Sequence, residues 1–160
     1  MKPVWIDEAR RYIDLEEIPG AASNSTIIGW LVRLSAWWRD DETPWCGTFV
    51  AHCLQETGYE IPKYWMRALA WAEWGRPLPA PMVGCIVVFS RKGGGHVGFV
   101  VGQDAKGNLL VLGGNQGNRV SIAAFPRIRV EAYRWPVSLS FDRIEPLPVL
   151  DPVEFSRCES

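Results

Sequence analysis

This sequence has no excess of charge of either sign and no long apolar run. Its 17 Lys and Arg residues nearly balance 18 Asp and Glu residues, giving a formal net charge of −1, whereas proteins that neutralise nucleic-acid phosphates usually carry a basic excess. No segment approaches the roughly 18 consecutive apolar residues of a membrane span. Charged side chains also interrupt residues 1–18, where a signal peptide would need an apolar stretch. We therefore expect no nucleic-acid partner, no membrane insertion and no signal peptide, and hence synthesis in the cytoplasm.

Cysteine and histidine are too few and too scattered for a metal site. The four cysteines form no Cys-x-x-Cys pair, and with only two histidines they match no common zinc spacing. Cys46 and Cys53 lie on one predicted helix, about 10.5 Å apart along its axis, which exceeds the roughly 7 Å between the Cα atoms of a disulfide. We expect free thiols, no metal and no other cofactor.

The composition is that of one ordinary globular domain, with 160 residues of which 48% are hydrophobic and 22% charged. In the first half, apolar residues recur at the three- and four-residue steps of a helix. Capping residues, prolines and glycines set the ends of these segments. The pattern predicts one helix over residues 5–13 that stops by Pro19-Gly20, a second over 27–38 capped by Asn24 or Ser25, a third from Thr43-Pro44 to Gly58, and a fourth over 62–74.

The second half predicts strands. Short apolar runs at residues 85–89, 97–101, 109–112, 120–123 and 130–133 follow at spacings of about 8–12 residues with turn formers between them. Because no helix-length segment separates these runs, we expect an antiparallel meander of about five strands with the helices packed on it, an α+β fold. The domain is expected to span residues 1–136. The proline-rich, acidic residues 137–160 are expected to form an extended or partly disordered tail.

Cys46 is the cysteine best placed for chemistry. With Thr43 as the cap, it would be the third residue of its helix, where unpaired backbone N–H groups and the helix dipole favour an anion. A thiolate there would have a lowered pKa and act as a nucleophile near neutral pH. The alternative is a buried, inert thiol, which is our interpretation for Cys53 and Cys85.

A catalytic thiol needs a base, and the sequence offers only His52 and His96. His52 lies six residues beyond Cys46 on the same helix, too far along and around it to reach the sulfur, so we interpret it as a packing or surface residue. His96 opens a predicted strand after three glycines. In the predicted hairpin, paired residue numbers sum to about 211–213, which places His96 opposite residues 115–117. An amide oxygen of Asn115 or Gln116 could orient the imidazole, although these residues are also ordinary turn formers.

Three motifs in order carry a family resemblance: Asp-Glu-Thr-Pro-Trp-Cys at residues 41–46, Gly-His-Val-Gly-Phe at 95–99 and Gly-Gly-Asn-Gln at 113–116. Together they resemble the papain-like peptidoglycan amidohydrolases of the CHAP and NlpC type, in particular small single-domain phage and bacterial proteins. The likeness extends over about residues 5–136. It implies a papain-like fold in which Cys46 is the nucleophile, His96 the general base and Asn115 the residue that orients the imidazole.

The resemblance also implies a substrate and a setting. The expected reaction is hydrolysis of a peptidoglycan amide through an acyl-enzyme, at either the muramoyl–L-alanine bond or a bond of the stem or cross-link peptide. The protein would then be a phage endolysin or an antibacterial effector that reaches the periplasm or cell wall through a holin or a secretion machine. We expect peptidoglycan as its partner, a monomer, and an immunity protein if it is an effector.

Two other functions fit the same residues. One is a papain-like acyltransferase or a protein-directed cysteine peptidase that uses the same three side chains. The other is a non-catalytic phage structural or wall-binding module on a decayed enzyme scaffold. Cleavage of purified peptidoglycan distinguishes these alternatives from the hydrolase.

Overall fold

The computed structural model describes residues 3–18 and 23–151. The α+β fold predicted from the sequence is confirmed, with the helices N-terminal and the sheet C-terminal. Within the described residues, no helix is long and apolar enough to cross a membrane. The helices are α1 (Val4–Arg10), α2 (Ser25–Arg33) and α3 (Cys46–Glu56), followed by a short 3-10 helix, Ala68–Glu73.

The strands are β1 (Arg76–Pro77), β2 (Ile86–Arg91), β3 (Gly94–Gln103), β4 (Leu109–Gly113), β5 (Ser121–Phe125) and β6 (Val130–Trp135). They form one antiparallel sheet in the spatial order β1-β6-β2-β3-β4-β5. The predicted meander is present as β2 to β5, but the last strand returns to the other side of β2 instead of extending the meander. Phe125 at the β5 edge stacks on Phe89 of β2, with 4.7 Å between ring centroids, so the sheet is strongly curled. This curl brings the end of β5 close to β2.

Helix α3 is the central helix of the core. Every residue of α3 from Cys46 to Leu54 is buried. Phe49 packs edge-on against Phe99 of β3, with ring centroids 6.3 Å apart, and also contacts Trp30 of α2 at 5.6 Å. The rigid core therefore fixes α3 directly against the strand that carries His96.

The start of α3 differs from its prediction. The helix begins at Cys46, with Trp45 as its N-cap and no side-chain capping bond. Thr43, the predicted cap, instead donates its backbone N–H and its hydroxyl to the carboxylate of Asp40, at 2.7 and 2.9 Å. Thr43 is thus hydrogen-bonded within the preceding turn and does not cap the helix. Cys46 is the first residue of the helix, not the third.

The other three predicted helices also end early or form only in part. The second helix ends at Arg33 instead of reaching residue 38, because Ser35 adopts a φ of 59°. After Arg10 the chain makes turns, because Asp14 adopts a φ of 77° and donates its N–H to Val120 near the sheet. Of the predicted helix 62–74, only the 3-10 segment forms, since the carbonyl of Trp65 accepts the indole N–H of Trp71. The predicted cap of α2 is confirmed, because the Asn24 side chain accepts N–H bonds from residues 26 and 27. The predicted stop at Pro19-Gly20 lies outside the described residues.

Residues 137–151 are extended and packed on the domain. Trp135 contacts Phe141 edge-on at 5.8 Å and donates its indole N–H to the carbonyl of Leu139. Further along, Gln103 exchanges backbone hydrogen bonds with residues 148 and 150, and Leu147 is buried. The rest of the predicted tail, residues 152–160, lies outside the described part of the chain.

The side chain of Asp41 links the loop that precedes α2 to the segment that precedes α3 by hydrogen bonds. Its side chain is fully buried. One carboxylate oxygen accepts the backbone N–H groups of Ile18 and Asn24, both at 2.6 Å. These charge-assisted bonds hold together two loops that are far apart in the sequence.

We expect Asp41→Ala to lower the free energy of unfolding by about 2–4 kcal/mol, because it leaves two backbone donors without their charged acceptor. Urea unfolding followed by tryptophan fluorescence measures this loss as a lower midpoint at constant slope. Glu60→Ala, at an exposed position, is the control and should change stability by less than about 0.5 kcal/mol. Equal stability of the two variants would contradict this role of Asp41.

Candidate active site

Cys46 lies at the first turn of α3 with only 5% of its surface exposed. It borders a cavity of about 420 Å3 between the loop before α3, the 3-10 helix and the β2–β3 hairpin. Pro44, Met66 and Leu69 give this cavity an apolar wall. Cys46 therefore borders a cleft that a chain-like substrate could occupy.

The thiol of Cys46 is neutral in this setting. Burial raises its pKa above the ordinary value, and hydrogen bonds from the backbone N–H groups of Val97 and Gly47 act in the opposite direction, as does the charge of Arg91. Burial outweighs these donors, because a thiolate loses more hydration on entering the protein than they replace. The prediction of a lowered thiol pKa is therefore wrong for the substrate-free protein.

His96 lies on β3 beside two aromatic rings. Its imidazole is almost completely buried and stacks on Phe125 and Phe89, with ring centroids at 5.4 and 6.3 Å. Burial lowers its pKa to about 4, while the hydrogen bond that His96 donates to Gln116 acts against that shift and the charges of Arg91 and Arg129 add to it. The imidazole is consequently neutral near pH 7 and available as a base.

Gln116 fixes which nitrogen of His96 carries the proton. Its amide nitrogen donates to the carbonyls of Val111 and Ser121, at 3.1 and 2.8 Å, so its oxygen Oε1 must be the atom that faces the imidazole. That oxygen lies 2.9 Å from Nε2 of His96. An amide oxygen only accepts hydrogen bonds, which assigns the proton to Nε2 and leaves Nδ1 with the free lone pair.

Asn115 does not make the hydrogen bond predicted for it. Asn115 and Gln116 line the same cavity of about 340 Å3 beside His96, but in the described structure only Gln116 bonds to the imidazole. Asn115 occupies the turn with a φ of 59°. The hairpin register predicted from the sequence identified the correct three residues, but the choice between two neighbouring amides depends on this turn conformation.

Two contacts bring the cysteine and histidine halves of the site together. The backbone N–H of Val97, the residue directly after His96, acts on the Cys46 thiol and lowers its pKa against the effect of burial. The loop that carries Gln116 also lies directly on α3, since a Cβ on Gly114 would come within 2.7 Å of Phe49 and 2.9 Å of Trp45. Within the described residues, no hydrogen bond joins the thiol to the imidazole, a geometry that often tightens only when substrate binds.

The other histidine has a packing role, as predicted. His52 is buried on α3, where its Nε2 lies 3.0 Å from the Glu8 carboxylate and its ring stacks on Trp30 at 5.1 Å. Tyr12 also donates its hydroxyl to Glu8 at 2.9 Å. This polar cluster joins α1 to α3.

The remaining described thiols are core residues, also as predicted. Cys53 and Cys85 are fully buried, and burial raises both thiol pKa values, that of Cys85 to about 12. The prediction of free thiols is confirmed for these two and for Cys46, while Cys158 lies outside the described residues. Cys46 is the one of the three whose sulfur borders a cleft.

Part of the chain matches a known protein family. The family model of the CHAP domain matches residues 38–115, a range that includes Cys46 and His96 and ends one residue before Gln116. No curated protein matches the chain. The match supports a CHAP-type amidohydrolase/peptidase domain at residues 38–115.

Proposed function

We propose that this protein is a cysteine hydrolase that cleaves an amide bond of peptidoglycan through an acyl-enzyme on Cys46. The CHAP domain indicates peptidoglycan-degrading amidase or peptidase activity in general. The observation that supports the cysteine mechanism is the buried hydrogen bond between His96 and Gln116, next to Val97, whose backbone N–H acts on the pKa of the Cys46 thiol. The hydrogen bond prepares a neutral base beside the only described cysteine whose sulfur borders a cleft.

The first half of the reaction forms the acyl-enzyme. Nδ1 of His96 takes the thiol proton as the sulfur of Cys46 attacks the amide carbonyl, and the carbonyl oxygen becomes an oxyanion. The backbone N–H of Cys46, at the start of α3, is a donor for that oxyanion. The imidazolium then gives its proton to the leaving nitrogen, so the C–N bond breaks and a free amine departs.

The second half removes the acyl group. His96 takes a proton from a water molecule, the resulting hydroxide attacks the thioester, and the proton returns to the sulfur as the carboxylate leaves. In both halves the imidazolium exists only transiently. Gln116 stabilises it through the bond from Nε2–H, while the low pKa of the buried imidazole makes the return of the proton favourable.

The proposal extends to the biological setting. The scissile bond is the muramoyl–L-alanine amide or an amide of the stem or cross-link peptide. The protein acts as a monomer on the cell wall, as an endolysin released by a holin or as an effector delivered by a secretion machine, and an effector would require an immunity protein in its producer. The triad of this proposal is Cys46, His96 and Gln116, with Gln116 in the position predicted for Asn115.

Purified sacculi test the nucleophile. The wild-type protein should release new amine ends, which amine labelling and mass spectrometry detect and assign to a bond, whereas Cys46→Ala should release none above a protein-free blank. The matched control is Cys53→Ala, which removes another buried thiol from the same helix and should retain activity. If the wild type and Cys46→Ala release amine ends equally, or neither releases any, the protein is not a Cys46-dependent hydrolase.

A second pair of variants tests which amide orients the base. We expect Gln116→Ala to lower kcat/KM on soluble muropeptides roughly 100-fold, because the imidazole loses the acceptor that fixes its tautomer and position. Asn115→Gly removes the neighbouring side chain without straining a residue of positive φ and should stay near the wild-type value. The reverse order of effects would restore Asn115 to the role predicted from the sequence.

A further inference from the structure

Arg91 lies between the two halves of the site. It is the last residue of β2, exposed at the entrance to the β2–β3 hairpin. Its side chain lines both the cavity that borders Cys46 and the cavity that borders His96, and its charge acts on both groups. A substrate that bridges the nucleophile and the base must therefore pass this guanidinium.

The charge around the cleft is one-sided. Arg67 and Lys92 join Arg91 along the cavity at Cys46, and neither this cavity nor the one at His96 has an aspartate or glutamate in its described lining. The whole chain, by contrast, has 17 cationic and 18 anionic side chains. No intramolecular hydrogen bond or ion pair of Arg91 is present in the described part of the chain. An unmatched cation in a cleft favours an anionic ligand.

We propose that Arg91 is a specificity-determining residue that binds a free carboxylate of the peptidoglycan stem peptide next to the scissile amide. This inference rests on the proposed function. The planar guanidinium binds a carboxylate through two parallel hydrogen bonds, so it fixes both the position and the orientation of the peptide. The stem peptide supplies such carboxylates, whereas the glycan strand offers mainly hydroxyl and acetamido groups.

Carboxylate binding at Arg91 would also act on the base. The charge of Arg91 lowers the pKa of His96, and a bound carboxylate offsets that charge. The imidazole therefore becomes a stronger base when a carboxylate-bearing substrate occupies the cleft. A substrate without the carboxylate would lose this effect together with the two hydrogen bonds.

Cross-linked muropeptides, released from sacculi by a muramidase, provide the test. They retain both classes of candidate amide bond, and they are compared before and after carbodiimide-driven amidation of their carboxylates. We expect the wild type to prefer the free-carboxylate form by about 10- to 100-fold in kcat/KM. Arg91→Gln should reduce this preference to near unity, and Arg91→Lys, which keeps the charge without the planar fork, should be intermediate.

The control is Lys106→Gln. It removes a cation from the exposed turn between β3 and β4, a residue that lines neither cavity, and it should keep the wild-type preference. Equal cleavage of both substrate forms by the wild type would overturn the inference. So would an Arg91→Gln variant that loses activity equally on both forms, because Arg91 would then act only through its electrostatic field. A wild type that cleaves neither form overturns the proposed function and this inference with it, a result distinct from cleavage without preference.

Discussion

The geometry around His96 depends on one buried hydrogen bond, from Nε2 of His96 to the side-chain oxygen of Gln116. Two carbonyls hold the Gln116 amide nitrogen, so the oxygen has no freedom to turn away. The bond fixes the imidazole in one tautomer and aims its lone pair in one direction. Because histidine and glutamine are both buried, little water competes for either partner, and an unsatisfied group there would be costly.

The fold supports this hydrogen bond at several points. The β3–β4 hairpin brings the loop after Gly113 back to His96, and Gly113 itself has no room for a side chain, since a Cβ there would lie 2.4 Å from the Gln116 oxygen. Gly114 lies against Phe49 and Trp45 in the same way. The loop that carries Gln116 is thus packed on the helix that starts with Cys46. Sheet, loop and helix α3 form one packed unit around the site.

Local sequence signals predicted the parts of the structure that local forces decide. The apolar runs that form β3 and β4, with the short turn between them, predicted the correct register. Phe99 pairs with Leu112 and Val100 pairs with Val111, so the two residue numbers of each pair add up to 211, as expected. The Asn24 cap was equally predictable, because capping involves only the next few residues. The ordered motifs pointed to Cys46 and His96, whereas position alone left two interpretations of Cys46 open, a nucleophile or a buried, inert thiol.

Other features depend on contacts that the sequence pattern does not contain. Thr43 looked like a cap, but Asp40 competes for its donors. The raised pKa of Cys46 follows from burial by the cleft walls, and the place of β6 follows from the curl of the whole sheet. The orienting amide belongs to Gln116 because of the backbone turn at Asn115.

The most direct measurement is a 15N NMR titration of the histidine side chains. The chain has only two histidines, so one His52→Gln variant assigns their signals. Near pH 7, His96 should carry its proton on Nε2 with Nδ1 unprotonated, and it should take up a second proton only near pH 4. A proton on Nδ1, or titration near the ordinary histidine pKa of about 6.5, would contradict a buried base oriented by Gln116.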